Sequence, residues 1–255
     1  MNQQQWLSEV AKGRIIAAQE ILTSSENENK TANQELVADD LKVLKNIFSY
    51  LREKRYFHAQ QLVDEMTTNI LDKESLKAQI DELKTADRYI NSQKPEEAEK
   101  LLLIMGSSPL EAEKLTLLGT TYVYLDNLDK AKYNLQEALN YDPKHYRAIT
   151  NLANLNLEAN HLDDAIAGYQ QALSINDSFS GALHNLAVAY RKKGQLNQSV
   201  SFLKKAQRAK NKELREEARE SLKSGENKQA LNLIIKTVAA ITIIAVVILL
   251  IRNLL

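Results

Sequence analysis

The chain has 255 residues, and its 33 basic and 33 acidic side chains cancel, which argues against a general surface for nucleic acid or anionic lipid. Cysteine is absent, which excludes a disulfide framework, a thiol redox centre and a thiolate metal site. With 7 glycines, 3 prolines and many Ala, Leu, Lys, Glu and Gln residues, the composition predicts an all-helical protein. Met1–Ser8 lacks the basic and then apolar run of a secretion signal, which favours a cytosolic location for most of the chain.

Residues 1–39 are predicted to form an amphipathic helix followed by a polar linker. Apolar side chains recur at helical spacing between Gln3 and Leu22, and Ser24–Gln34 is polar and unpatterned. We expect the helix to cap the first hairpin, because the terminal unit of a stacked array needs its apolar face covered. Binding of this helix to a membrane or to a partner is the alternative.

Residues 40–111 are predicted to form two irregular helical hairpins. Asp40–Lys73 has a turn near Lys54, and in Gln79–Glu111 the position of Pro95 suits the first residue of a second helix. The spacing between the two segments is interrupted. They therefore look like degenerate versions of the unit that follows them.

Residues 112–213 contain three in-register copies of one helix–turn–helix unit at a period of 34 residues. The copies are Ala112–His145, Tyr146–Phe179 and Ser180–Glu213. Small residues recur at three places of the unit, namely Gly119, Ala153 and Ala187 at the eighth, Ala131, Ala165 and Ser199 at the twentieth, and Ala138, Ala172 and Ala206 at the twenty-seventh. Small side chains let neighbouring helices approach closely. Because no hairpin can bury its apolar face alone, the hairpins are expected to stack.

This period and this pattern resemble the tetratricopeptide repeat. The resemblance implies a right-handed superhelical solenoid of helix-turn-helix hairpins whose first helices line a concave groove. It also implies binding of a protein or peptide partner, without a cofactor. We expect no catalysis and no metal site, since the four histidines have no ligand spacing and neither a phosphate loop nor a nucleophile elbow occurs.

The resemblance assigns groove-lining positions to places two, five, six, nine, twelve and thirteen of each unit. The candidate peptide-binding residues at these places include Arg147, Asn151, Asn154, His184 and Asn185. Amides and cations of this kind can hold an extended peptide by its backbone and by its acidic groups.

One subset of the family, which binds the tails of chaperones, uses a clamp for two carboxylates. The resemblance places Asn154, Asn185, Arg215 and Arg219 at clamp positions, but Thr150 stands where the first lysine is usual. A partner with an acidic C-terminal tail is therefore one candidate. The simpler interpretation is that these asparagines are common in the repeat and that the two arginines form an ordinary i, i+4 pair on a solvated face.

The chain beyond the repeats is predicted to form a capping helix and linker at 214–228 and a transmembrane helix at 231–251. Thr237–Ile251 has no charged residue, and extension back to Leu231 gives a helix of about 30 Å, the thickness of a hydrocarbon core. This would be a single-pass C-terminal anchor with the repeats in the cytosol. A buried core helix is the alternative.

These features favour a membrane-anchored scaffold or adaptor that binds a partner protein or peptide in its groove, as a co-chaperone or as an assembly factor. The alternative is a structural protein whose solenoid self-assembles into a homo-oligomer or a coat at a membrane. An enzyme is the third class, and it would need converging side chains that the sequence does not show.

Overall fold

The computed structural model describes residues 8–10, 18, 32–67, 71–106 and 108–224. Regular structure in these ranges is helical throughout, as the composition predicts. The helices are α1 (Ala32–Arg52), α2 (Tyr56–Glu65), α3 (Lys73–Asn91), α4 (Pro95–Ile104), α5 (Glu111–Tyr124), α6 (Leu128–Tyr141), α7 (Tyr146–Glu158), α8 (Leu162–Ile175), α9 (Ser180–Lys192) and α10 (Leu196–Ser224). The chain forms two compact units, Met1–Asn211 and Lys212–Leu255.

Successive helices pack in the order of a stack of hairpins. The helices within a pair touch, and from α1 to α9 the second helix of each hairpin also touches the first helix of the next. The first helices contact one another along the stack, α3 with α5, α5 with α7 and α7 with α9. The first helices therefore form one continuous layer on which side chains of neighbouring repeats meet.

Each hairpin turn has one residue in the left-handed backbone region. These residues are Lys54, Gln93, Asp126 and Asn160, with φ between 54° and 61°, and Gly194, with φ of 81°. Only the last is glycine, for which this conformation has no steric cost. The two upstream hairpins thus keep the turn geometry of the three repeats, although their side-chain pattern has degenerated.

The small residues of the repeat are needed where helices approach each other. A Cβ atom added to Gly119 would lie 2.6 Å from Leu135 Cγ, and one added to Gly168 would lie 2.8 Å from Ala153 Cβ. Ala153 and Ala187, which share the eighth place with Gly119, are fully buried. Larger side chains at these places would force the helices apart.

Two residues of the predicted N-terminal helix lie in the core of the upstream hairpins. Val10 and Ala18 are fully buried and belong to the same apolar cluster as Leu44 and Ile80. The other residues of 1–31 lie outside the described part of the chain.

The structure differs from the sequence-based expectation in the region that follows the third repeat. The predicted capping segment 214–228 is not a separate helix over its described part, because α10 continues to Ser224. The reason that α10 continues is found by comparing the residues at the places where the second helices of the earlier repeats end. Asp142 is followed there by Pro143, which does not continue a helix, whereas the third repeat has Lys210 and Asn211.

The predicted membrane location is corrected by the structure. Among the described residues, no helix combines the length and the apolar character needed to cross a bilayer. The candidate span at 231–251 lies outside those residues. The predicted single-pass membrane location is therefore not supported, and the proposed function does not include a membrane anchor.

Candidate interaction surface

Hydrogen bonds between side chains join neighbouring first helices at places six and nine of the repeat. Asn151 Nδ2 on α7 donates to Thr120 Oγ1 on α5 over 2.9 Å, and Asn185 Nδ2 on α9 donates to Asn154 Oδ1 on α7 over 2.7 Å. We call these two pairs the amide rungs. They recur because the 34-residue period brings the sixth place of one repeat against the ninth place of the repeat before it.

The second rung is oriented by a buried tyrosine. Tyr169 OH on α8 donates to Asn154 Oδ1 over 2.8 Å, and burial raises the pKa of Tyr169, so its hydroxyl stays protonated. Asn154 Oδ1 therefore accepts two hydrogen bonds, which uses both of its lone pairs. Asn154 Nδ2 and Asn185 Oδ1 have no hydrogen-bond partner among the described residues. One amide donor and one amide acceptor thus remain available beside each other.

The first rung has a similar arrangement. Thr120 Oγ1 donates to the carbonyl oxygen of Thr116 over 2.8 Å, which leaves its lone pairs for Asn151. Asn151 Oδ1 has no partner in the described part of the chain. Both rungs therefore present unfilled amide groups, and both lie on half-buried side chains of the first-helix layer.

A second set of polar contacts joins the α1–α2 turn to the start of α7. Arg52 Nη1 lies 2.6 Å from Asp142 Oδ2, and the carbonyl oxygen of Arg52 accepts hydrogen bonds from Tyr146 OH over 2.9 Å and from Arg147 Nη1 over 3.1 Å. We call these four residues the latch. Burial raises the pKa of Tyr146 to about 12, so its hydroxyl remains a donor at neutral pH. The latch ties the first hairpin to the second repeat.

Arg147, a predicted peptide-binding residue, is held by the protein itself. Its guanidinium carbon lies 5.3 Å from the centroid of the Phe179 ring, and the Tyr146 and Phe179 ring centroids are 4.9 Å apart. The Arg147 guanidinium is thus held at one N–H group by the Arg52 carbonyl and across its planar face by the Phe179 ring. Arg147 is therefore a member of the latch, and its role in peptide binding stays a prediction.

The α1–α2 turn is also anchored to α3. Lys54 Nζ donates to an oxygen of Asp87, and burial lowers the pKa of Lys54, with Arg147 contributing in the same direction. Burial and the charge of Asp87 raise the pKa of Tyr56 well above its ordinary value. The turn is thus held from two directions, by α3 and by the start of α7.

A buried histidine–glutamate pair lies beside the latch. His145 Nε2 is 3.0 Å from Glu113 Oε1, an ion-pair distance, and neither atom makes a hydrogen bond within the described residues. His145 Nδ1 accepts from the backbone N–H of Ala148 over 3.2 Å, so the ring caps α7. The side chains are 1% and 11% exposed, so the pair is closed to solvent.

The charge of Glu113 is balanced by its neighbours. Burial alone would raise the pKa of this carboxyl, but the His145 imidazole and the guanidinium groups of Arg52 and Arg147 outweigh burial and lower it. Sequence inspection treats His145 as one scattered histidine among four. Its position immediately before the first residue of a repeat is the signal that indicates a helix cap.

The other predicted site residues lie on exposed surfaces. His184 is exposed on α9 beside Asn185, and Arg215 and Arg219 are exposed on α10 in the unit Lys212–Leu255. The structure thus joins Asn154 to Asn185, links Asn151 to Thr120 and places Arg147 in the latch. The four-residue clamp stays a prediction. Among the described residues, no group of three or more His, Asp or Glu side chains could hold a metal ion.

Comparison with known proteins identifies the repeat. The family described as Tetratricopeptide repeat matches residues 113–145 and 180–213, so the chain contains tetratricopeptide repeats. The crystal structure of MamA is 21% identical, covers 66% of this chain and 95% of its own, and has a TM-score of 0.43. The crystal structure of YrrB, described as a TPR protein with an unusual peptide-binding site, is 19% identical, covers 65% and 82%, and has a TM-score of 0.40. No curated protein matches significantly.

Proposed function

We propose that this protein is a non-enzymatic interaction scaffold that binds an extended peptide segment of a partner protein along the first helices of its repeats. The observation that carries the proposal is the second amide rung. Tyr169 and Asn185 saturate Asn154 Oδ1, and they leave Asn154 Nδ2 and Asn185 Oδ1 with unfilled hydrogen-bonding capacity.

An extended peptide suits this arrangement because its backbone offers one N–H and one C=O at each residue. Asn185 Oδ1 would accept from a peptide N–H, and Asn154 Nδ2 would donate to a peptide carbonyl. The side chains need little reorganisation, since Tyr169 already fixes the orientation of the Asn154 amide. Asn151 repeats the acceptor one repeat earlier, so a single segment would meet both rungs.

Peptide binding is tested by selecting ligands from a random peptide library against the full chain and by measuring their affinity for variants. Asn154→Ala and Asn185→Ala should each weaken binding by roughly fivefold to tenfold, the value of one hydrogen bond. Asn156→Ala is the matched control, because this half-buried asparagine lies on α7 outside the rungs. Failure to select any peptide, or equal affinity for all three variants, would refute the proposal.

Two further arms separate the finer possibilities. Each selected peptide is made in two forms, one with a free C-terminal carboxylate and one with a C-terminal amide. The predicted clamp would be favoured if the protein binds the carboxylate form more tightly and if Arg215→Ala and Arg219→Ala each remove this preference. Light scattering of the full chain tests the structural alternative, because a coat protein would form large assemblies as its concentration rises.

A further inference from the structure

The outer side of α10 is exposed at one place of the repeat where the two earlier repeats are covered. At the twenty-fourth place of the repeat, Leu135 and Tyr169 are both 0% exposed, whereas Leu203 is 39% exposed. Leu135 lies in an apolar cluster with Ala148 of α7, and Tyr169 lies in one with Leu186 of α9. In each of those repeats, the first helix of the next hairpin covers this place.

The exposed side of α10 forms an apolar stripe. Leu196 is 62% exposed and Val200 is 51% exposed, and with Leu203 they follow the i, i+4, i+7 spacing of one helix face. We call these three residues the open face. A different side of α10 is used for packing, since Ala206 and Ala209 are buried against Leu183 of α9.

Among the described residues, no separate helix follows α10 in the way that α7 and α9 follow the earlier repeats. After α6 and α8 a short turn leads directly into α7 and α9, but α10 continues to Ser224, where the described residues end. Within the described residues, the place that the first helix of a fourth repeat would take on α10 is therefore uncovered.

Charge indicates what kind of helix would fit there. Between Leu196 and Asn211 the helix carries only cations, which are Lys204, Lys205, Arg208 and Lys210. By contrast, α6 has two acidic and two basic residues, and α8 has two acidic residues and no basic one. Lys204 and Arg208 follow each other at i, i+4 along one edge of the open face. Residues 225–255 contain a single acidic residue, Glu226, so they are not complementary to this edge.

We propose that the open face docks an amphipathic helix of a partner protein, one with apolar residues at i, i+4 and i+7 and acidic residues along its edge. The helices that cover the earlier repeats provide the template. Their residues at the third, seventh and tenth places are Ala148, Leu152 and Leu155 in α7, and Ala182, Leu186 and Ala189 in α9. The partner helix would extend the stack as its next first helix, and its acidic edge would meet Lys204 and Arg208.

The test uses the full chain and a synthetic helical peptide of about 18 residues, a length that gives five turns. This peptide has Ala, Leu and Leu at i, i+4 and i+7 with Glu along its edges, and a matched peptide carries Lys in place of Glu. Titration by fluorescence anisotropy should show binding of the Glu peptide and not of the Lys peptide. Binding should weaken with added salt, because the partner charges remain close to solvent.

Variants assign the binding to the open face. Leu203→Asp should weaken binding by about tenfold or more, because it places a charge in the apolar contact. Leu128→Asp is its control, on an exposed leucine of α6 at the place that matches Leu196. The double change Lys204→Glu with Arg208→Glu should reverse the preference toward the Lys peptide, and Lys132→Glu on α6 should not.

Several outcomes would overturn the proposal. These are absence of binding, equal binding of both peptides, and binding that Leu203→Asp does not alter. A dimer of the full chain that Leu203→Asp abolishes would also overturn it, because a second copy would then cover the face. Circular dichroism melts check folding, and Val200→Asp, at a more exposed position, replaces Leu203→Asp if that variant fails to fold.

Discussion

The latch and the amide rungs are both polar clusters that include residues of first helices, but they differ in the hydrogen-bonding groups that they leave unused. In the latch, the Arg52 guanidinium donates to the Asp142 carboxylate, and the Arg52 carbonyl accepts from the Arg147 guanidinium. In the second rung, Asn154 Oδ1 is saturated, whereas Asn154 Nδ2 and Asn185 Oδ1 have no partner among the described residues. The difference teaches that neighbouring contacts decide the role of a polar residue, since the Arg147 guanidinium is bonded to Arg52 of the first hairpin and the Asn154 amide nitrogen has no partner among the described residues.

The largest expected effect comes from His145→Ala. It should lower the free energy of unfolding by about 3 kcal/mol, because it removes the α7 cap and leaves the buried Glu113 carboxylate without its partner. Chemical denaturation measures it. The matched control is His161→Ala, because His161 precedes α8 without a side-chain cap bond and should change stability little. If both variants lose the same free energy of unfolding, then His145 beside the latch contributes no more to stability than a histidine in an ordinary turn.

A smaller effect is expected from the ion pair of the latch. A double-mutant cycle of Arg52→Met and Asp142→Asn should give a coupling of about 1–2 kcal/mol, since the two side chains are only 19% and 16% exposed. The exposed pair Lys42 and Asp39 serves as control, with an expected coupling of about 0.3 kcal/mol. Similar couplings for both pairs would mean that the latch contributes no more than a surface contact.

Tyr169→Phe tests whether the second amide rung contributes to stability, to peptide binding or to both. Loss of the hydroxyl should cost about 1 kcal/mol of unfolding free energy, and it should weaken peptide binding because the Asn154 amide is no longer oriented. Tyr133→Phe, on an exposed tyrosine of α6, is the control for both measurements. A variant with lower stability but unchanged peptide affinity would show that the rung is purely structural.

The smallest effect concerns acid. The pKa of the Glu113 carboxyl is lower in the folded state than in the unfolded state. The ionised carboxylate therefore contributes its full stabilisation above the unfolded-state pKa, and this stabilisation is lost as pH falls through the folded-state pKa. As pH falls below about 4.3, the ordinary pKa of a glutamate carboxyl, the stability of Glu113→Gln should therefore fall less steeply than that of the natural chain. Glu96→Gln, at an exposed position in α4, should keep the natural slope. Identical slopes in all three proteins would contradict the proposed charge balance around Glu113.

The repeating part of the fold was predictable because its determinants are local. Small residues at fixed places, turn residues and the 34-residue period are visible in the sequence, and residues such as Gly119 and Ala153 lie in the close contacts expected of them. The positions of the amide rungs were also predictable from the period. Which hydrogen bonds the amides make could not be predicted, since that depends on Tyr169 from another helix.

The features that could not be predicted from the sequence depend on contacts between residues far apart in the chain or on the absence of a helix-stop residue. Arg52 and Arg147 are separated by 95 positions, and no pattern in the chain connects them. The continuation of α10 follows from a missing helix stop, which is weaker evidence than a proline in the same place. The membrane location was wrong for a related reason, because it rested on apolar composition without any packing information.

The latch also has a consequence for how the protein unfolds. In a linear stack each hairpin contacts only its neighbours, so the terminal hairpins can fray while the centre stays folded. The latch closes a loop of 90 residues or more between the first hairpin and the second repeat. Opening of the first hairpin must therefore break contacts at α7 as well, and the hairpins enclosed by this loop should lose structure together rather than one at a time.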